Sequence, residues 1–140
     1  MIETAKNLFP YANFEVQDAR KMTEADSSWD CVLMMHVLDH LDDYHAAIAE
    51  AVRISKKYIA IILWRGFVQS DTHLNDRNMM GKKDGEAPWE DTFLQEYSRE
   101  VLSLEFDKYS LKDVAIAEGE EVNSDASKYN FVWILEKPIL

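Results

Sequence analysis

The stretch Trp29-Asp30-Cys31-Val32-Leu33-Met34-Met35-His36-Val37-Leu38 decides the fold. Its apolar residues point to both sides of an extended chain, as in a strand covered on two faces. Tyr58-Ile59-Ala60-Ile61-Ile62-Leu63-Trp64 has the same character. Between the two runs, Asp42 or Asp43 suits a helix N-cap. Tyr44, Ala47, Ile48, Ala51, Val52 and Ser55 then recur at helical spacing, with Glu50 and Arg53 off that stripe. Lys56 and Lys57 place cations at the helix's carboxyl end, where the helix dipole favours them.

Working outward, Ile2 to Phe9 reads as a short helix ending before Pro10, and the alternation in Asn13 to Ala19 reads as a strand over Phe14–Ala19. Residues 20–29 are polar, a loop or short turn. Residues 65–92 hold Gly66, Gly81, Gly85, Pro88 and many Asp and Asn residues, which predicts a long loop or lid. A helix is expected over Glu96 to Phe106. Strands follow over Ser110–Glu118 and Tyr129–Glu136, joined through the polar segment Gly119 to Lys128 and therefore antiparallel. The expected architecture is one α/β domain over residues 1–140, with a sheet parallel in its centre and a carboxyl-terminal antiparallel hairpin. Ligands of such sheets bind beyond the carboxyl ends of the strands. That singles out Asp18–Arg20, Met35–His40 and Trp64–Phe67.

Composition narrows the classes of function. The chain has 140 residues, 47% hydrophobic and 29% charged, enough for a single core. Fifteen cationic against 26 anionic residues give a net charge of −11, which repels phosphate and argues against a nucleic-acid partner. A lone cysteine, Cys31, excludes a disulfide framework and suits a reducing compartment. The apolar runs are too short to span a bilayer, and Met1-Ile2-Glu3 does not open a signal peptide. The expectation is a cytoplasmic protein without a membrane partner.

The polar residues His36, Asp39, His40, Asp42, Asp43 and His45 crowd one short stretch. They fall on a strand end and the turn after it rather than on one helical face, so no metal site is expected. Ser27, Ser28 and Ser70 lack the strand-to-helix elbow of a nucleophile. His36 interrupts an apolar run and needs a polar partner if buried.

Five ordered pieces carry a resemblance: Gln17-Asp18-Ala19, Trp29-Asp30-Cys31-Val32, His36-Val37-Leu38-Asp39-His40-Leu41, Ala49-Glu50-Ala51-Val52-Arg53-Ile54 and Tyr97-Ser98-Arg99-Glu100-Val101-Leu102. In that order they resemble the class I S-adenosylmethionine-dependent methyltransferases of the type 11-like group. The resemblance implies a partial Rossmann-like methyltransferase sheet with helices on both faces, S-adenosyl-L-methionine as cofactor and a small-molecule substrate. It implies that Asp18 accepts a hydrogen bond from the adenine amino group, with the Ala19 amide and Arg20 beside it. Met35, His36 and Val37 would pass beneath the sulfonium and ribose. His40, Trp64, Arg65, Phe67 and His73 would face the substrate.

The family's glycine-rich cofactor turn is not matched by Gly66, Gly81, Gly85 or Gly119, so the chain resembles the carboxyl-terminal two-thirds of that domain. Loss of the strands that precede it would leave Cys31–Leu38 with an open side. Pairing with Phe14–Ala19 could close it, or a second chain could, as in a homo-oligomer or dimer. Two functions are thus expected: a methyltransferase, or a non-catalytic methyltransferase-like remnant acting as a dimerisation or interaction module.

Overall fold

A computed structural model describes residues 2–41, 43–63, 72–75, 93–118 and 131–138. In chain order the elements are α1 (Ile2–Leu8), β1 (Trp29–Met35), a 3-10 turn (Leu38–His40), α2 (Tyr44–Ile54), β2 (Ser55–Leu63), β3 (Thr72–Asn75), β4 (Phe93–Glu96), α3 (Arg99–Asp107), β5 (Lys112–Glu118) and β6 (Phe131–Glu136). β1, β2, β6 and β5 form one sheet in that order, and β3 and β4 form a second, two-stranded one. β1 runs parallel to β2; β6 runs antiparallel to both β2 and β5. The α/β reading, the parallel pair and the closing hairpin are therefore as the sequence predicts.

Helix α2 starts where expected: the Asp43 side chain accepts from the Ala46 N–H. Asp42 lies outside the described residues. The helix passes into β2 without a loop. Ser55 is fully buried there, and its Oγ donates to the Val52 carbonyl at 3.2 Å. Lys137 Nζ donates to the carbonyls of Val52 and Ser55, each at 2.7 Å. A cation thus neutralises carbonyls that the helix end leaves without intrahelical partners.

The register explains the core. Met34 pairs with Ile61, and Ile61 with Trp133; Ile59 pairs with Leu135. These residues are buried in one cluster with Ala47, Ile48 and Ala51 of α2 and with Leu102 and Phe106 of α3. Phe106 meets the Trp133 ring edge-on at 4.8 Å, and Trp133 Nε1 donates to Asp113 at 2.9 Å, which satisfies the indole's one donor. Glu105, also buried, bonds His45 of α2 at 2.7 Å and Lys108 through the same carboxylate oxygen, joining the two helices.

Three expectations are corrected. Phe14–Ala19 is not a strand: only an isolated bridge, Asp18 with Lys21, forms there, and Val16 is 85% exposed. An alternating segment becomes a strand only beside another, and β1 pairs with β2 alone. The Cys31–Leu38 run is not covered on two faces. β1 ends at Met35 and sits at the sheet edge, with Met34 buried and Leu33 and Met35 each 59% exposed. Within the segment read as a loop, Thr72–Asn75 is a strand paired with Phe93–Glu96, so the following helix begins at Arg99 rather than Glu96. Residues 64–71, 76–92 and the turn Gly119–Lys128 lie outside the described residues.

Phe106→Ala removes a ring from the centre of this cluster and should cost about 3–5 kcal/mol. Leu33→Gln lies on the exposed row and should change stability by less than about 0.5 kcal/mol. Urea denaturation of both variants checks the inward and outward assignment of the strands.

Candidate functional site

The sheet directs attention to the carboxyl end of β1. The ladder does not stop with the strand: the His36 N–H donates to the Ile62 carbonyl at 2.9 Å. His36 itself has φ 53°, a left-handed backbone that is uncommon outside glycine. That residue turns the chain sharply off the sheet. Val37 then packs against the core. His40 N–H bonds the Val37 carbonyl at 3.2 Å and Leu41 N–H the Leu38 carbonyl at 3.1 Å, which makes one tight turn. Leu38 and Asp39 are buried, and His40 is half-buried.

Tyr97 fastens this turn from the other side. It is buried, its hydroxyl donates to the Leu38 carbonyl at 2.8 Å, and its ring meets Tyr44 edge-on at 5.0 Å. β4, just before Tyr97, runs alongside the turn. The post-β1 turn is thus held by β2, by the start of α2 and by the segment entering α3.

Asp18, Ala19 and Arg20 are held by a different set of contacts. Asp18 Oδ1 accepts from the Arg20 N–H at 2.9 Å and Nε at 3.0 Å, and Oδ2 from Nη2 at 3.0 Å. The Arg20 guanidinium and backbone hold the Asp18 carboxyl below its ordinary value, so it is an ionised acceptor at neutral pH. A carboxylate offers about four acceptor positions, and among the described residues three are used, which leaves room for one further donor. Ala19 packs against the core cluster. It also lines a cavity of about 420 Å³ with Gln17, Met22, Glu24 and Trp29.

The segment carrying these residues is tied to α2. Glu50 accepts from the Met22 N–H at 2.7 Å and from Arg53 Nε and Nη2 at 2.8 Å each. Arg53 also donates to the Glu24 carbonyl at 2.7 Å, to Asp26 at 2.8 Å and to the Met22 carbonyl at 3.2 Å. Arg53 and the Met22 amide bring the Glu50 carboxyl down from 4.5 to about 2.

Of the residues expected from sequence, Met35, His36, Val37 and His40 come together at the end of β1, and Asp18, Ala19 and Arg20 form a second group. Trp64, Arg65 and Phe67 lie outside the described residues, and His73 falls on the backbone of β3. Tyr97 was legible only as part of a helix signature, and nothing in its spacing announces a bond to Leu38. Among the described residues, no group of three His, Cys, Asp or Glu side chains could hold a metal ion, and no helix is long and apolar enough to cross a membrane.

Comparison with known proteins agrees on the fold. Residues 1–62 match the family described as "Methyltransferase domain". No curated protein matches. A SAM-dependent methyltransferase of Methanosarcina mazei aligns with TM-score 0.64 and 17% identity, over 89% of this chain and 66% of that one. The 1,6-didemethyltoxoflavin-N1-methyltransferase of Burkholderia thailandensis, solved with 1,6-didemethyltoxoflavin and S-adenosylhomocysteine, aligns with TM-score 0.68 and 12% identity, over 96% and 55%. The magnesium protoporphyrin IX methyltransferase of Synechocystis, solved with SAM, aligns with TM-score 0.61 and 12% identity, over 97% and 52%. The chain thus spans between half and two thirds of the length of these structures.

Two measurements check the anchors. Tyr97→Phe keeps the ring and deletes one buried hydrogen bond, so it should lower stability by about 0.5–1.5 kcal/mol by urea denaturation. Glu50 is held below its ordinary value in the folded chain, so its ionised form stabilises the fold. That contribution is complete above about pH 4.5 and is lost as pH falls towards about 2. Glu50→Gln should therefore lower the melting temperature at pH 7, and the gap to wild type should narrow between pH 4.5 and 2.5.

Proposed function

We propose that this chain, which carries the S-adenosylmethionine-dependent methyltransferase fold over a four-stranded part of its sheet, binds S-adenosylmethionine and transfers its methyl group to a small molecule. The reading takes the chain as the carboxyl-terminal portion of such a domain. The observation that carries it is the left-handed residue His36 at the end of a parallel strand, followed by a turn whose Leu38 and Asp39 are buried and whose Leu38 carbonyl is held by Tyr97. This is where an α/β sheet of this kind receives a nucleoside.

When bound, the cofactor supplies an electrophilic methyl group already activated by its sulfonium. The chain's residues then have to bind, orient and exclude water rather than move protons. Asp18 is suited to one donor of the adenine edge, because it stays ionised and keeps an open acceptor position. The backbone of Ala19 and the guanidinium of Arg20 flank it. Met35, His36 and Val37 form the floor under ribose and sulfonium, at the point where the chain turns off the sheet. His40, Trp64, Arg65, Phe67 and His73 are the substrate side. The acid-rich chain favours a small or cationic acceptor over a polyanion. A cytoplasmic setting fits the single, unpaired cysteine.

One observation favours a second reading. Among the described residues β1 has no strand on its outer side, and its Trp29, Leu33 and Met35 are more than half exposed. Such an edge invites a partner, and a methyltransferase-like module could serve through it as a dimerisation surface without catalysis.

Calorimetric titration with S-adenosylhomocysteine separates the two. The enzyme reading expects micromolar binding, weakened roughly tenfold or more by Asp18→Asn, which disturbs a charged acceptor. Absence of heat at millimolar ligand, together with a dimer by light scattering, would leave the module.

A further inference from the structure

We infer that Glu50 and Arg53 are a positioning pair: they hold the segment Gln17–Ser28, and with it Asp18, Ala19 and Arg20, in the geometry the cofactor needs. The inference rests on the methyltransferase reading for its functional half and on geometry alone for its structural half.

Both residues stand off the apolar stripe of α2, where solvated side chains are usual. Neither is solvated in the ordinary way: Glu50's side chain is 18% exposed and Arg53's 30%. Their mutual pairing is a two-pronged fork, with Nε on one carboxylate oxygen and Nη2 on the other. A fork of this kind fixes the guanidinium plane as well as its distance. Four further contacts then reach the segment: the Met22 N–H to Glu50, and Arg53 to Met22 O, Glu24 O and Asp26. Three of the four contacts are to backbone, the Met22 amide and two carbonyls, and one is to the Asp26 side chain, so the pair reads chiefly the path of the chain.

The segment has little else of its own. It forms no helix and no ladder beyond the single bridge between Asp18 and Lys21. Its internal support comes from Gln17, whose side chain accepts from the Thr23 N–H and donates to Glu24 and Glu15. Glu24 and Thr23 lie among the residues that Arg53 and Glu50 anchor, so Gln17 passes the restraint back to its neighbour Asp18. At the other end, Ser27 and Ser28 N–H groups bond the carbonyls of Arg53 and Ile54 at 2.8 and 2.9 Å. Without the pair, residues 17–26 would be a polar loop, and binding would have to order it first.

Hydrogen exchange and titration on the full chain test both halves. Arg53→Lys keeps the charge and removes the fork, and Glu50→Gln keeps the shape and removes the charge. In each, the Met22 and Thr23 amides should lose protection at least about tenfold, while the Ile61 and Trp133 amides keep theirs. The S-adenosylhomocysteine dissociation constant should rise roughly tenfold or more. The Tyr97→Phe variant, which touches neither residue, should leave Met22 and Thr23 protection as in wild type. Unchanged protection in both variants overturns the clamp. Lost protection with an unchanged dissociation constant overturns its role in binding. Wild type that binds no S-adenosylhomocysteine overturns the methyltransferase reading and the functional half with it, while exchange still decides the structural half.

Discussion

Five consecutive pairs, Cys31 with Tyr58 through Met35 with Ile62, lock β1 to β2 in parallel register, and the placement of α2 and of the turn before it follows from that ladder. Parallel neighbours need a crossover, and α2 is the whole of it. Its start must lie at the carboxyl end of β1 and its end at the amino end of β2. The turn of residues 36–41 is therefore forced to one rim of the sheet, and Glu50 and Arg53, in the last turns of α2, are directed to the other. The direct passage from Ile54 into Ser55 leaves no slack, which is why Ser55 is buried and why Lys137 reaches across to the helix carbonyls. One backbone constraint thus places the turn at the end of β1 and the Glu50–Arg53 pair.

The elements whose formation depends on their own residues were legible in the sequence. α2 declares itself by its stripe and its Asp43 cap, and β2 by its unbroken apolar run. The antiparallel arrangement of β5 and β6 follows from their closeness in the chain. What depends on a distant partner was not legible. Phe14–Ala19 has the alternation of a strand and no strand to lie beside. β1 has the composition of a central strand and occupies an edge, because composition records which surfaces are apolar and not which are covered. Glu50 and Arg53 were visible only as polar residues off a stripe. Their partners lie some thirty positions earlier, and neither propensity nor periodicity carries information over such a separation. Thr72–Asn75 is too short to outweigh the polar sequence around it.

The mismatch between the composition of β1 and its burial has a consequence of its own. On the inward side, Met34, Ile61 and Trp133 meet α2 and α3. On the outward side, Leu33, Ala60 and Ile134 share a row, and so do Met35, Ile62 and Val132. The outward residues of the edge strand are mostly exposed and those of the inner strands half-buried. Large apolar surface of this kind is unusual on a monomer. The same feature that fits a longer methyltransferase domain also fits an association module. Ligand binding is the property that discriminates between the two readings.

Methyl transfer makes modest chemical demands, and this shapes what can be read from side chains. A reaction whose electrophile arrives already activated is accelerated mainly by alignment, so its site is built from backbone and packing more than from titratable groups. The residues with the firmest structural definition here match that requirement. His36 fixes a direction through its φ angle, Tyr97 fixes a carbonyl, and Arg53 fixes two more. Each acts on main chain. A site of this type has no triad or metal cluster to reveal it, and its residues become recognisable only when the strand end, the turn and the tethered segment are considered together.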